Sequence, residues 1–410
     1  VVGVLVFVIA TAGTWLILRH GSKRSGAAGT GGTPSAGQSG GNATPPASVK
    51  GATLTWRRVS DPSLGGAEDQ KINAISQTGG STTTFVAAGY SGHDAAVWIS
   101  TDGVTWQKSQ AGLGGPGDQV ISGINASKPW TAVGRDTSSG DSDAAVWNSP
   151  DARTWVKVND AALGGPGDQV IYRVTGTKFG QIAVGSDSRN GDADVAFWIH
   201  KSGPWQEVTG GALGGAGNQV AYRVKAIGNR LVAVGTDDAG GNLDAAVWVS
   251  IDAANWLRVP DPNGQLGGEG DQGLLDLVES GTGMVAGGFT TGPQGRDGAL
   301  WASADGVTWT RVPGQTELEG PGDQQITRLN ADIPGFRFAA FGSDSSSGDP
   351  DATVWFSVDG STLRREVRLG GSGDQTIQSL ADSKGLILLV GFDSSPGNLD
   401  AAIWTTQLAE

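Results

Sequence analysis

Residues 163–208, LGGPGDQVIYRVTGTKFGQIAVGSDSRNGDADVAFWIHKSGPWQEV, contain one full unit of a pattern that runs seven times through this chain. Gln169 marks a first register, shared with Gln70, Gln119, Gln219, Gln272, Gln324 and Gln375. A second register, D-A-A-V-W or close to it, opens at Asp94, Asp143, Asp194, Asp244, Asp297, Asp351 and Asp400. A third is the turn STDGVTW of residues 100–106, echoed at 149–155, 250–256, 303–309 and 357–363. The period is 49 to 54 residues. Units of this size bury their apolar faces only by stacking on one another, as in solenoids, propellers and arrays.

Inside the quoted unit, VIYRVTG, QIAVGSD, VAFWIH and WQEV are rich in β-branched and aromatic residues and are separated by Gly, Asp and Ser clusters. That pattern predicts four short antiparallel strands, one propeller blade. The last unit stops at WTTQLAE (404–410) without a fourth strand, while TLTWRRV (53–59) stands ahead of the first L-G-G and matches one. The expected fold is all-β, a seven-bladed β-propeller over 53–410 whose N-terminal strand closes the last blade and removes two open sheet edges. Trp56 is then expected opposite Trp404. The spacing of Trp98 and Trp106 about Asp102 likewise predicts a directly opposed pair. Trp147 with Trp155, Trp248 with Trp256, Trp301 with Trp309 and Trp355 with Leu363 keep that spacing, and Trp198 with Trp205 is one residue shorter.

The 68 glycines and 15 tryptophans suit many turns and large aromatic fillers. Cysteine is absent and the histidines are His20, His93 and His200, which argues against thiolate or multi-imidazole metal sites and against a Ser-His-Asp hydrolase. All 41 acidic residues lie beyond residue 50, with 24 of the 28 basic ones, so the repeats are strongly acidic and nucleic acid is not an expected partner.

Residues 1–18, VVGVLVFVIATAGTWLIL, carry no charge and would span about 27 Å as a helix, close to a bilayer core. They read as a single-pass transmembrane helix. Residues 19–52, a basic flank followed by a Gly/Ser/Pro-rich stretch, read as a flexible linker. Arg19, Lys23 and Arg24 alone would keep the propeller in the cytoplasm. A long polar stalk bearing an acidic propeller favours the extracytoplasmic face of the cell membrane, the orientation expected here.

The turns STDGVTW, SADGVTW (303–309) and SVDGSTL (357–363) resemble the Asp-box, or bacterial neuraminidase repeat, of β-propeller proteins. The usual S-x-D-x-G-x-T-W has one more residue between Asp and Gly, and the turns at 150–155 and 251–256 lack the glycine. The resemblance covers about seven residues per blade. It implies a propeller with the box between third and fourth strands, remote from any active site, in sialidases and in non-enzymatic propellers alike. In architecture the chain is also similar to membrane-anchored propeller proteins of Gram-positive bacteria, some of them sensor domains.

A site in a ring is usually one place, so features present in every blade are read first as serving the fold. The G-D-Q element, with Asp118, Asp168 and Asp323, is either a cap for backbone donors in the crossover or a carboxylate ring at the pore mouth. The loop D-x-x-x-G-[D/N]-x-D recurs in five blades and supplies Asp136, Asp141, Asp143, Asp187, Asp192 and Asp194 as candidate calcium ligands, against a bland reading as capped turns. A four-strand meander puts both acidic motifs on one face and the box turns on the other. Arg173, Arg223 and Arg328 share one inner-strand position and could clamp a carboxylate at the axis. Trp130, outside every register, joins His93, the Arg296 loop and the ADIPGFR segment (331–337) as a break in the pattern where binding is sought.

The expected function is a membrane-tethered, monomeric, non-catalytic module that binds or senses a protein or cell-envelope glycan at the acidic loop face. The alternatives are a sialidase-like glycoside hydrolase and a calcium-stabilised structural propeller. A hydrolase needs a nominated pair of carboxylates, and the glutamates are scattered. No cofactor is expected beyond calcium.

Overall fold

The computed structural model describes residues 54–408 except Ser81, Thr282, Asp332, Pro334 and Pro396. The apolar run 1–18 and the linker 19–52 lie outside the described residues. Among those described, no helix is long and apolar enough to cross a membrane.

Each Gln of the first register begins an innermost strand, and each Asp of the second begins a third strand except Asp297, which lies two residues inside Gly295–Ser303. The first blade shows the plan: Gln70–Gln77, Phe85–Ser91, Asp94–Ser100 and Gln107–Ser109 pair in order as one antiparallel sheet. The described residues form seven such four-stranded sheets. The first strand of each touches the first strand of the next, and Gln375–Ser383 touches Gln70–Gln77, so the ring is closed. Closure takes the expected route, with Arg57 and Arg58 pairing with Thr405 and Trp404 of the last third strand. The chain is a seven-bladed β-propeller.

The D-A-A-V-W register works because its two faces serve two different blade interfaces. Ala95, Val97 and Ile99 pack with Trp147 and Trp155 of the second blade, while Ala96 and Trp98 pack with Leu388 and Ile403 of the seventh. Small and large residues thus alternate across each contact, which lets neighbouring sheets interdigitate at core density. Five third-strand indoles, those of Trp98, Trp198, Trp248, Trp301 and Trp355, also reach back to the crossover before their own blade: Trp98 Nε1 donates to Ser63 O at 2.8 Å, Trp198 to Ala162 O at 2.8 Å and Trp301 to Gln265 O at 2.7 Å.

The L-G-G and Asp registers are two sides of one contact. Leu113, Leu163 and Leu213 are buried. The glycine that follows lies against the carboxylate opening a third strand of the preceding blade: a Cβ on Gly164 would fall 2.7 Å from Asp143 Oδ1 and one on Gly214 2.4 Å from Asp194 Oδ1. The innermost strands carry a further shared device that sequence period does not reveal. Each has a β-bulge two to four residues after its Gln, as at Ile72/Ala74 and Ile171/Arg173. Just ahead of each bulge, the carbonyl of the residue after the Gln presses on a second-strand glycine. A Cβ at Gly89 would lie 1.8 Å from Lys71 O.

Two expected pairings need correction. Trp98 faces Lys108, not Trp106, and Trp404 faces Arg58, not Trp56. The hairpin is centred one residue later than its tryptophans suggest, because residues 100–105 form a side-chain-bonded turn. Ser100 Oγ accepts from Gly103 N at 2.8 Å, and Asp102 Oδ1 accepts from Val104 N and Thr105 N at 2.8 Å. Trp106 then folds under its own turn, its Nε1 donating to Gly103 O at 3.2 Å, and pairing starts at Gln107. The same bonds recur at Asp151, Asp252, Asp305 and Asp359. The Asn255 side-chain amide together with the turn's backbone N–H groups holds the Asp252 carboxyl down at about 2, and the backbone donors do the same for Asp305. At 152 and 253 alanine takes the left-handed backbone that glycine takes at 103, with φ of 62° and 67°.

Candidate functional site

The position four residues after each Gln, beside the bulge of the innermost strand, is held by Ala74, Gly123, Arg173, Arg223, Asp276, Arg328 and Ser379. Arg173 lies in the inner channel with its guanidinium on bulge carbonyls of four blades: Ser122 O, Tyr172 O at 2.8 Å, Asn73 O at 3.4 Å and Gln378 O at 3.5 Å. Arg223 Nε lies 3.1 Å from Asp276 Oδ1, a close ion contact whose alignment falls short of a hydrogen bond. Asp276 also accepts from Leu277 N at 2.9 Å and from Leu329 N at 3.0 Å, so one buried carboxylate ties blades four, five and six. Arg328 donates to Thr327 O, and enclosure by protein lowers its pKa to about 10. The arginines therefore do not form a free triad. Arg173 and Arg223 line a cavity of ≈ 230 Å³ together with residues of blades one, two and seven, and Arg328 is not part of it.

Asp276 was not among the expected residues, although it occupies the arginine position of its blade. Reading that position in all seven units would have found it. Tyr172 and Tyr222, the inner-strand tyrosines, lie 5.5 Å apart as tilted rings, and burial pushes both phenols up, away from ionisation at neutral pH.

The G-D-Q carboxylates cap the preceding blade. Asp168 Oδ1 accepts from Ser142 N at 3.0 Å and Asp323 Oδ1 from Arg296 N at 2.8 Å, while Asp118 Oδ1 meets exposed His93 Nδ1 at 2.7 Å and raises its pKa through that bond. The loop aspartates are similarly engaged. Asp143 accepts from Ser139 Oγ at 2.6 Å and Gly165 N at 3.3 Å, Asp194 from Gly215 N at 3.3 Å, and Asp141 from Ser139 Oγ at 3.3 Å. Asp192 is half-buried in the same kind of loop. Among the described residues no three His, Cys, Asp or Glu side chains are grouped to hold a metal ion. Carboxylates turned onto N–H and hydroxyl donors are a poor fit to calcium, which wants converging oxygens.

Asp136 and Asp187 belong to a different, repeated device. The register Gln Nε2 donates to the last Asp of the second strand, at 3.2 Å for Gln119 to Asp136 and 3.1 Å for Gln169 to Asp187. A cation two residues beyond the box position reaches the other oxygen: Lys157 to Asp136 at 2.6 Å, Arg258 to Asp237 at 3.4 Å, Arg365 to Asp344 at 2.7 Å and Arg58 to Asp393 at 3.4 Å. In the third blade Glu207 takes the cation's place, and Arg189 from the loop serves Asp187 and Glu207. Burial alone would raise Asp136, Asp344 and Asp393, yet hydrogen bonds from Lys157 and Ser138 at the first, from Ser346 and Arg368 at the second and from Ser395 and Gln375 at the third, with the charges of Arg365 and Arg58, win and hold them below the usual carboxylate range. Trp130, expected as a ligand contact, is core: it opens a second strand, is 7% exposed and packs with Ile124 and Trp147.

The fifth blade breaks the pattern. Its second and third strands, Gly283–Gly292 and Gly295–Ser303, run into a tight turn instead of the acidic loop, and Thr290 stands where the Asp belongs. Beside it a groove of ≈ 620 Å³ opens between residues 264–269 and 313–319, lined by Gln272, Thr290 and Arg311.

No protein-family model matches the chain, and no curated protein does. Among solved structures the chain is similar to the WD40 β-propeller domain of Doa1 (14% identity, 83% of this chain and 94% of that one, TM-score 0.50). It is also similar to a protein from Lactobacillus plantarum (12% identity, 84% and 97%, TM-score 0.50). Trypanosoma rangeli sialidase in complex with sialic acid matches over 82% of this chain and 53% of its own, with 14% identity and a TM-score of 0.45. At these identities the likeness extends to the fold alone, and the sialidase match carries no argument about chemistry.

Proposed function

We propose that this chain is a membrane-tethered, non-catalytic propeller of the Asp-box-like kind that binds or senses a protein or cell-envelope glycan. The face in use is the one bearing the G-D-Q crossovers and the loops between second and third strands. One observation carries the reading: the polar side chains that repeat around the ring are spent on holding it together. Arg173 is bonded to four blades, Arg223 is matched by Asp276, and the register glutamines and aspartates are locked to each other and to outer-strand cations. What is left for recognition is loop surface and the blades that depart from the pattern, which is where rigid scaffolds place binding. The raised phenols of Tyr172 and Tyr222 speak against a tyrosine nucleophile. Kinship with Asp-box propellers is supported by the Ser-Asp bonding of five turns, and the tether by the uncharged run 1–18.

The strong acidity of the repeats will draw basic or cationic partners, with a contribution that salt screens. The test is an array of envelope glycans together with capture from envelope extract, using the full chain. Specific binding that weakens as ionic strength rises is the expected outcome. Silence in both assays, or turnover of a fluorogenic sialoside that Arg173→Ala abolishes, would overturn the proposal.

A further inference from the structure

We infer that the groove of the fifth blade is a binding site for a small zwitterion, a ligand with the chemistry of a free amino acid or dipeptide. This deepens the binding function proposed above and rests on it. The fifth blade lacks an acceptor that most of its sisters have. In five blades an aspartate such as Asp136 or Asp237 accepts from the register glutamine, and in four of these an outer-strand cation also reaches it, the third blade using Arg189 of the loop instead. In the fifth blade both donors remain and the carboxylate is gone. Gln272 pairs with Thr290 across the strands, and Arg311 pairs with Trp301 as Arg258 pairs with Trp248. Gln272 Nε2 keeps only backbone acceptors, Glu269 O and Gly270 O at 3.0 Å. Arg311 uses its main-chain N–H, on Gln265 Oε1 at 3.2 Å, but among the described residues its guanidinium has no hydrogen-bond or ion-pair partner.

The first blade shows that losing the aspartate does not by itself open a site. There Ser91 replaces it, and Lys108 Nζ settles on Ser91 Oγ at 3.1 Å and Gln70 Oε1 at 3.4 Å. The fifth blade instead leaves a groove of ≈ 620 Å³ with Gln272 and Thr290, both nearly fully buried, and Arg311 in its wall. That volume is within the range of small-molecule sites. A carboxylate entering it can take the place of the missing Asp side chain, where a guanidinium gives a charge-assisted and often two-pronged bond.

The remaining charges select the rest of the ligand. Glu269 and Glu319 line the same groove and are exposed. With Arg311 they leave the groove net negative, so a simple anion is opposed. A simple cation would leave Arg311 unmatched. A ligand with a carboxylate for Arg311 and an ammonium for the glutamates satisfies both.

Titration calorimetry on the full chain at low ionic strength, with glycylglycine, N-acetylglycine and glycinamide as probes, tests this. Glycylglycine is expected to bind, with N-acetylglycine and glycinamide each weaker by about tenfold or more. Arg311→Gln, an exposed substitution that leaves the core intact, is expected to weaken glycylglycine by a similar factor. Thr290→Asp, which restores the carboxylate of the sister blades from within, is expected to abolish binding. No heat with the unmodified chain, equal binding of N-acetylglycine, or an unchanged Arg311→Gln variant would overturn the inference. Any of these would leave the wider binding function standing on its array and capture result, and silence there would sink that function separately.

Discussion

Replacing Asp276 with alanine is expected to destabilise the propeller by about 3–5 kcal/mol, the usual cost of stranding one partner of a buried ion pair. The carboxylate is 1% exposed, meets the Arg223 guanidinium as an ion pair and accepts hydrogen bonds from Leu277 N and Leu329 N, joining three blades. Its loss leaves a guanidinium and two buried N–H groups short of an acceptor, each a desolvation penalty without compensation. Arg223→Ala should cost less than Asp276→Ala, because Arg223 has more access to the channel. The double variant should lose clearly less than the sum of the two, since the stranded charge is gone. Denaturant melts of the four proteins measure this. Simple additivity would show that the pair does not act as a unit.

Lys71→Met is expected to act in the opposite direction, stabilising the fold by roughly 2–4 kcal/mol at neutral pH. Lys71 follows the register glutamine of the first blade, where the next three blades carry Val120, Val170 and Val220. It is 1% exposed with Nζ 4.6 Å from the centre of the Phe392 ring, and burial lowers its pKa to about 7. A lysine whose folded pKa lies below its unfolded one near 10.5 must give up its proton or be buried charged. The resulting cost is fully present below about pH 7 and disappears as pH rises past the unfolded value. The gain from methionine, which replaces the stem and removes the charge, should follow the same curve. Melts between about pH 6 and pH 10 check it. A gain that does not shrink on the alkaline side would assign the effect to packing.

The extent to which sequence anticipated structure follows from what repetition can teach. Gln70 through Gln375 mark strand starts, as do all of Asp94 through Asp400 but Asp297, because seven copies average away local accident. Ring closure was legible for the same reason, an unpaired strand at one end matching a missing strand at the other. The hairpin register was not, since the tryptophan spacing marks a centre at Asp102 while Ser100 and Asp102, by bonding the turn backbone, shift it to Gly103. The bulges were invisible, as their residues, Asn73, Ser122, Tyr172, Leu275 and Thr327 among them, share no chemistry. Single-copy features misled most. Trp130 looked like a ligand contact because no sister residue explained it, and it proved to be core. In the fifth blade the informative signal was an absence, Thr290 where five blades carry aspartate, and absences stand out only once the role of the missing residue is known.

The account as a whole depends on the ring being closed by its first strand in one register. The chain contains no cysteine, so a single engineered pair reports on that register without background. Arg57 and Thr405 are direct cross-strand partners, at a separation that a disulfide spans. The double variant Arg57→Cys, Thr405→Cys, oxidised at low protein concentration and examined by non-reducing electrophoresis and mass spectrometry, should form an intramolecular crosslink in nearly all molecules and melt at a higher temperature than its reduced form. Two free thiols after oxidation, or crosslinks only between chains, would contradict the closed ring and everything built on it.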